Sequence, residues 1–216
     1  MTGDVEDVTF HSNLYATQNE KIFNLKEGES LCFLGINFMM GYHKLQSWKH
    51  CWSTPEDLGV PVITNAMPRD RFETILRYLH ANDNTSVPHG NKDKIYKLWP
   101  VVNKLNDRLQ QVYKWTRELS IDDSIILFKG RSTLKQYNHT NPIKRGYKLV
   151  YNLAFKVYQG NYELAETEFQ DYSLGERVIL ELSKHAWGSV RELYLYNIYF
   201  LRSRFLRDWQ QKKTHS

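Results

Sequence analysis

The sequence predicts an α+β protein, with a mainly helical first part over residues 1–118 and a sheet-forming second part over residues 119–216. Two observations carry this reading. Apolar residues before position 118 recur at helical spacing, whereas after it they fall in short alternating runs closed by glycine or asparagine. The charge also changes character. Lys+Arg balance Asp+Glu at 14 against 14 up to residue 118, stand at 6 against 2 over residues 119–150, and at 9 against 8 beyond. Four of the five excess positive charges therefore sit in one short stretch. Such concentration suits a phosphate backbone better than general solvation.

Residues up to about 26 are polar with scattered apolar positions and predict a loosely packed first helix. Glu29 to Met40 is apolar nearly all round, with Gly41 just past its end, and predicts a buried helix. Residues 42–66 mix Tyr42, Trp48, His50, Cys51, Trp52, Pro55, Gly59 and Pro61 without a period, which predicts an aromatic-rich connection. Pro68 opens an amphipathic helix in which Phe72, Ile75, Leu76 and Leu79 share one face, with Arg69, Asp70, Arg71 and Arg77 on the outer one. A turn-rich loop at 82–93 leads to a second long helix, from Lys94 or Pro100 to about Trp115, with Val101, Val102, Leu105, Leu109 and Val112 on one side.

The second part begins with a strand containing Ile121, Ile125, Ile126, Leu127 and Phe128, ended by Gly130. Asp122 and Asp123 lie within it, and strand alternation sends their side chains to opposite faces. The basic residues Lys129, Arg131, Lys135, Lys144, Arg145 and Lys148 follow, interleaved with Tyr137 and His139. Residues 147–158 predict one long strand, Gly160 and Asn161 a hairpin turn, and residues 162–169 a third strand. Ser173 and Glu176 have the spacing of a capping box that opens a helix with Val178, Ile179 and Leu182. Residues 192–196 alternate as a fourth strand, and residues 203–213 predict a last helix. The order β-β-β-α-β-α is that of the beginning of an RNase H-like core.

Composition narrows the setting. No run approaches the ~18 uncharged apolar residues of a membrane span, and the first twenty residues hold no apolar stretch of signal-peptide type. Cys32 and Cys51 form neither a disulfide framework nor a paired metal motif, so free thiols in a reducing compartment are expected. His50 beside Cys51 is not a metal pair, because adjacent side chains rarely chelate one ion together. Neither a membrane nor a small-molecule substrate is an expected partner.

The stretch SIDDSIILFKGRSTLKQYNHTNPIKRGYKL (120–149) resembles the IDE…FKGR…LKQY…KPIKRGYK block of piggyBac transposases and piggyBac transposable element-derived proteins. The resemblance extends through SNLYATQ (12–18), FLGINFMMGYHKL (33–45), CWSTPEDLGVP (51–61), MPRDRFETILRYLHANDN (67–84), SLGERVILEL (173–182) and LYLYNIYF (193–200). It implies a helical domain for dimerisation and DNA binding, then an RNase H-like catalytic core. Active members of the family hold two Mg²⁺ with three carboxylates, since the attacking and leaving oxygens of an in-line phosphoryl displacement each need a metal. Asp122 matches the first of these acids, with Asp123 in place of the usual Glu. Tyr196 stands where the family has its second Asp. The segment VYNLAFKVYQGN (150–161) is shorter than the Asp-Ser-containing turn of the family.

The resemblance places the third acid and a Cys/His-rich zinc-binding domain beyond residue 216. It therefore predicts an incomplete core with an unpaired sheet edge, prone to self-association. The expected protein is nuclear, catalytically inactive and without a bound metal cofactor. It would bind DNA weakly and salt-sensitively through Lys129, Arg131, Lys135, Lys144, Arg145 and Lys148, as a homo-oligomer if the helical domain keeps its role. The alternatives are an active two-Mg²⁺ transposase and a decaying element fragment without selected function.

Overall fold

A computed structural model describes residues 2–55, 58–113, 118–139, 141–152, 154–159, 169, 171–184, 187 and 192–195. The protein divides into two compact units, Met1–His89 and Gly90–Ser216. The change from helix to strand at 118 does not coincide with this division, because the helix that precedes the first strand belongs to the second unit.

The first unit contains α1 (Thr2–Gln18), α2 (Glu27–Tyr42), α3 (Pro61–Ala66) and α4 (Arg69–Tyr78), with a 3₁₀ turn at Trp48–Trp52. Its core gathers Ala16, Phe23, Leu25, Phe33, Ile36, Cys51, Ile63, Met67, Phe72 and Ile75. Phe72 is the centre of an aromatic group, with ring centroids 4.8 Å from Phe33, 5.1 Å from Trp52 and 5.5 Å from Trp48. The irregular aromatic connection thus supplies core, and the Trp52 indole N–H is satisfied by Met67 O at 2.8 Å.

Two expectations for this unit are corrected. The apolar helix α2 is not buried all round: Ser30, Phe33 and Ile36 are buried, but Leu31, Leu34, Phe38 and Tyr42 are exposed. A single helix can pack only the stripe that meets α1 and its other neighbours, so apolarity around the whole circumference does not enforce burial. Arg71 is also no outer-face charge. Its guanidinium donates to both Glu29 oxygens, at 2.8 and 2.7 Å, and to Phe23 O at 3.1 Å. That forked contact holds the Glu29 carboxyl below its ordinary pKa and ties α4 to the start of α2.

The second unit contains α5 (Trp99–Val112), the strands β1 (Glu118–Leu127), β2 (Gln136–Tyr137), β3 (Arg145–Tyr151) and β4 (Phe155–Val157), then α6 (Leu174–Ser183) and β5 (Glu192–Leu195). β1 pairs antiparallel with β3, from Asp122 opposite Tyr151 to Leu127 opposite Gly146, and parallel with β5, from Glu118 beside Glu192 to Ile121 beside Leu195. β2 and β4 both lie antiparallel to β3, near its opposite ends. Antiparallel strands followed by a helix and a strand parallel to the first make the RNase H-like arrangement.

The long strand expected over 147–158 is instead a hairpin. β3 ends at Tyr151 and β4 runs back along it, with Tyr151 opposite Phe155 and Leu149 opposite Val157. Asn152 makes the reversal: its Oδ1 accepts from Ala154 N at 2.8 Å, and its Nδ2 donates to Leu182 O of α6 at 2.9 Å. A local side-chain hydrogen bond here competes with continued extension. The expected turn at Gly160–Asn161, residues 162–168 of the third strand and the last helix at 203–213 fall outside the described residues. The capping box at α6 forms, with Ser173 N donating to Glu176 Oε2 at 2.8 Å.

The β4 edge is not left open. Asn106 of α5 donates from Nδ2 to Phe155 O at 3.0 Å and accepts at Oδ1 from Phe155 N at 2.9 Å. The amide imitates a neighbouring strand and covers one residue of edge.

Candidate nucleic-acid interface

Alternation along β1 and β3 sorts the notable residues onto two faces. The face covered by α6 carries Leu119, Ile121, Asp123 and Ile125 from β1, and Gly146, Lys148 and Val150 from β3. Ile121 and Val150 join Ala154, Val178, Ile179, Leu180 and Leu182 in the core of this unit. The opposite, open face carries Ser120, Asp122, Ser124 and Ile126 from β1, and Arg145, Tyr147, Leu149 and Tyr151 from β3.

The two adjacent acids are separated as their alternation requires. Asp123 has a side chain 1% exposed, with Oδ2 3.0 Å from Lys148 Nζ. Among the described residues, neither of its carboxylate oxygens makes a further hydrogen bond. Asp123 faces Val150 and Lys148 faces Ile125, so the two are diagonal neighbours across β1 and β3, offset by two residues on one face. Asp122 is half-buried on the open face, and its Oδ1 accepts from Asp123 N at 2.7 Å.

Tyr196 falls outside the described residues, which end at Leu195 beside Ile121. Among the described residues no three of His, Cys, Asp or Glu come together as a possible metal site. The carboxylate nearest to Asp122 in sequence faces the other way and is neutralised by Lys148, so the described donor set does not fit a two-metal centre. His50 and Cys51 lie in the other unit, where burial raises the Cys51 thiol pKa and favours the inert protonated form.

The six basic residues separate as well. Lys129, Arg131, Lys144 and Arg145 are exposed in the segment that runs from the end of β1 through β2 to the start of β3, so they collect at one end of the sheet. Lys135 is half-buried in the same segment and donates to Gly130 O at 3.0 Å. Lys148 differs, because its charge is balanced within the protein by Asp123.

The short strand β2 brings in residues that sequence reasoning did not assign. Tyr137 pairs with Arg145, whose guanidinium lies 5.4 Å from the centre of the Tyr137 ring. Phe128 and Tyr147 stack, centroids 4.8 Å apart at an interplanar angle of 26°. The alternation Arg145, Tyr147, Leu149, Tyr151 was available as a signal that these side chains share one face.

The family model described as Transposase IS4 matches residues 5–216. Human PiggyBac transposable element-derived protein 3 is 33% identical over 187 residues, which are 83% of this chain and 31% of that protein. Human PiggyBac transposable element-derived protein 2 is 29% identical over 147 residues, 68% of this chain and 24% of that protein. This chain thus spans a third or less of the length of these curated relatives. Among solved structures, a piggyBac transposase in a synaptic complex with hairpin DNA superposes with a TM-score of 0.75 at 22% identity, over 88% of this chain and 42% of that one. This likeness shows the fold.

Proposed function

The chain belongs to the Transposase IS4 family of piggyBac type, and from that premise we propose that it is a transposase-derived DNA-binding protein that does not itself cleave DNA. The observation that carries the binding half of this reading is the convergence of Lys129, Arg131, Lys144 and Arg145, with Lys135, at one end of the sheet. Positive side chains gathered there would displace counterions from a phosphate backbone, so binding is sequence-independent and weakens with salt. The solved neighbour, a piggyBac transposase synaptic complex with hairpin DNA, supports nucleic acid as the partner class.

The catalytic half rests on chemistry. Tyr196 occupies the second acid position of the family pattern, and a phenol with an ordinary pKa of ~10 does not supply the charge of a carboxylate at neutral pH. Asp123 cannot substitute, since it lies on the covered face and neutralises Lys148. Nuclear localisation and self-association belong to this reading as properties to be measured.

Two assays test it. In filter binding across a salt series, about five phosphate contacts give a slope of log K against log salt near −4 to −5, and replacing Lys129, Arg131, Lys144 and Arg145 with Ala flattens it. No affinity at low salt, or a flat series, ends the DNA reading. The second assay follows supercoiled plasmid with Mg²⁺ or Mn²⁺ for the natural chain, Asp122→Ala, Tyr196→Asp, and Tyr196→Asp combined with Asp122→Ala. No variant is expected to nick. Nicking by the natural chain that vanishes with Asp122→Ala overturns the inactive reading.

A further inference from the structure

We infer that the open face of the sheet is a stacking platform for unpaired bases, so that the nucleic acid it takes is single-stranded. This deepens the proposed function and rests on it for the partner class. Tyr151 is 41% exposed and Tyr137 63% exposed, and Tyr147 stacks with Phe128 between them on the same face. A sheet normally hides its aromatic side chains beneath a second layer. Here the layer formed by α6 covers the opposite face.

The charge of the surroundings identifies the occupant. Arg145 shares the face with the aromatic residues and layers against the Tyr137 ring, while Lys129, Arg131 and Lys144 flank the same end. At the other end of the sheet Glu118 and Glu192 are register partners, so the platform is basic where β2 meets β3 and acidic where β1 meets β5. An apolar protein partner needs no such rim. A nucleic acid strand does, because its phosphates must be neutralised while its bases lie on the rings.

Duplex DNA offers only base edges and phosphates, its base faces being consumed by its own stacking. It could use the basic rim and leave the aromatic face idle. An unpaired strand uses both, with bases on Tyr151 and on the Tyr147–Phe128 pair and phosphates running toward Arg145. From Tyr151 to Arg145 along β3 is about 20 Å, which accommodates a short site of about four nucleotides, at the small end for single-strand binders. Both sugar types offer the same π-faces, so single-stranded DNA and RNA are equivalent at this level.

The test is fluorescence anisotropy of the full chain with labelled oligo-dT, oligo-U and a duplex of equal length. Both single strands are expected to bind more tightly than the duplex. Tyr151→Ala and Tyr147→Ala each lower single-strand affinity roughly 5- to 100-fold, the range for losing one stacked base, and leave duplex affinity within about twofold. Tyr151→Phe retains single-strand binding, which separates a lost ring from a lost fold. The duplex binding as tightly as the single strands, or Tyr151→Ala and Tyr147→Ala binding them unchanged, overturns the platform while the backbone reading stands. Equal loss in Tyr151→Phe and Tyr151→Ala also overturns it. Failure of all three probes to bind at low salt ends both proposals together.

Discussion

The two faces of the β1–β3 ladder treat the same residue types differently. Asp122 and Asp123 are neighbours with identical side chains, and Arg145 and Lys148 are cations on one strand. On the covered face Asp123 and Lys148 neutralise each other, and on the open face Arg145 is exposed and Asp122 is half-buried with no cation beside it among the described residues. The difference teaches that in a strand the parity of a residue, more than its identity, decides whether its charge serves the fold or a partner.

The largest effect that sharpens this comparison comes from the covered face. Asp123→Ala leaves Lys148 without its counterion and should destabilise the protein by about 3 kcal/mol in urea unfolding, at the low end for a broken buried pair because Lys148 still reaches water. Asp122→Ala, which loses one local hydrogen bond from a half-buried side chain, should cost only about 1 kcal/mol. Similar losses in the two variants would break the distinction between the faces.

Next in size is Gly146, on the covered face opposite Leu127. A Cβ there would stand 1.9 Å from Ile126 O and 2.9 Å from the Ile125 side chain, and a backbone carbonyl in a ladder has little room to yield. Gly146→Ala is therefore expected to cost about 2 kcal/mol or more, whereas Arg145→Ala next to it, on the open face, should leave the unfolding midpoint almost unchanged. A silent Gly146→Ala would show that β1 and β3 can separate freely.

A smaller effect concerns the sheet edge. Asn106→Ala removes both hydrogen bonds to the Phe155 backbone and should cost about 1.5 kcal/mol. It also uncovers strand edge, so concentration-dependent association in sedimentation velocity should rise. If the variant sediments like the parent, the amide is not what protects β4.

By itself the sequence determined which kinds of element form, because those depend on local chemistry. The period of Phe72 and Ile75 made a helix, the β-branched run around Ile125 made a strand, and Ser173 with Glu176 opened α6 where their spacing required. It also determined family membership, carried by the long block around IDDSIILFKGR. Tertiary structure decided what depends on partners far apart in the chain. That Lys148 belongs to Asp123 follows from the register of β1 against β3. That Arg71 clamps Glu29 follows from the docking of α4 on α2. Where the strand expected over 147–158 folds back depends on Asn152 reaching α6 as well as Ala154. Spacing along a chain encodes neither register nor docking, since both are set by which apolar faces can be buried together, and that choice exists only once the elements have met.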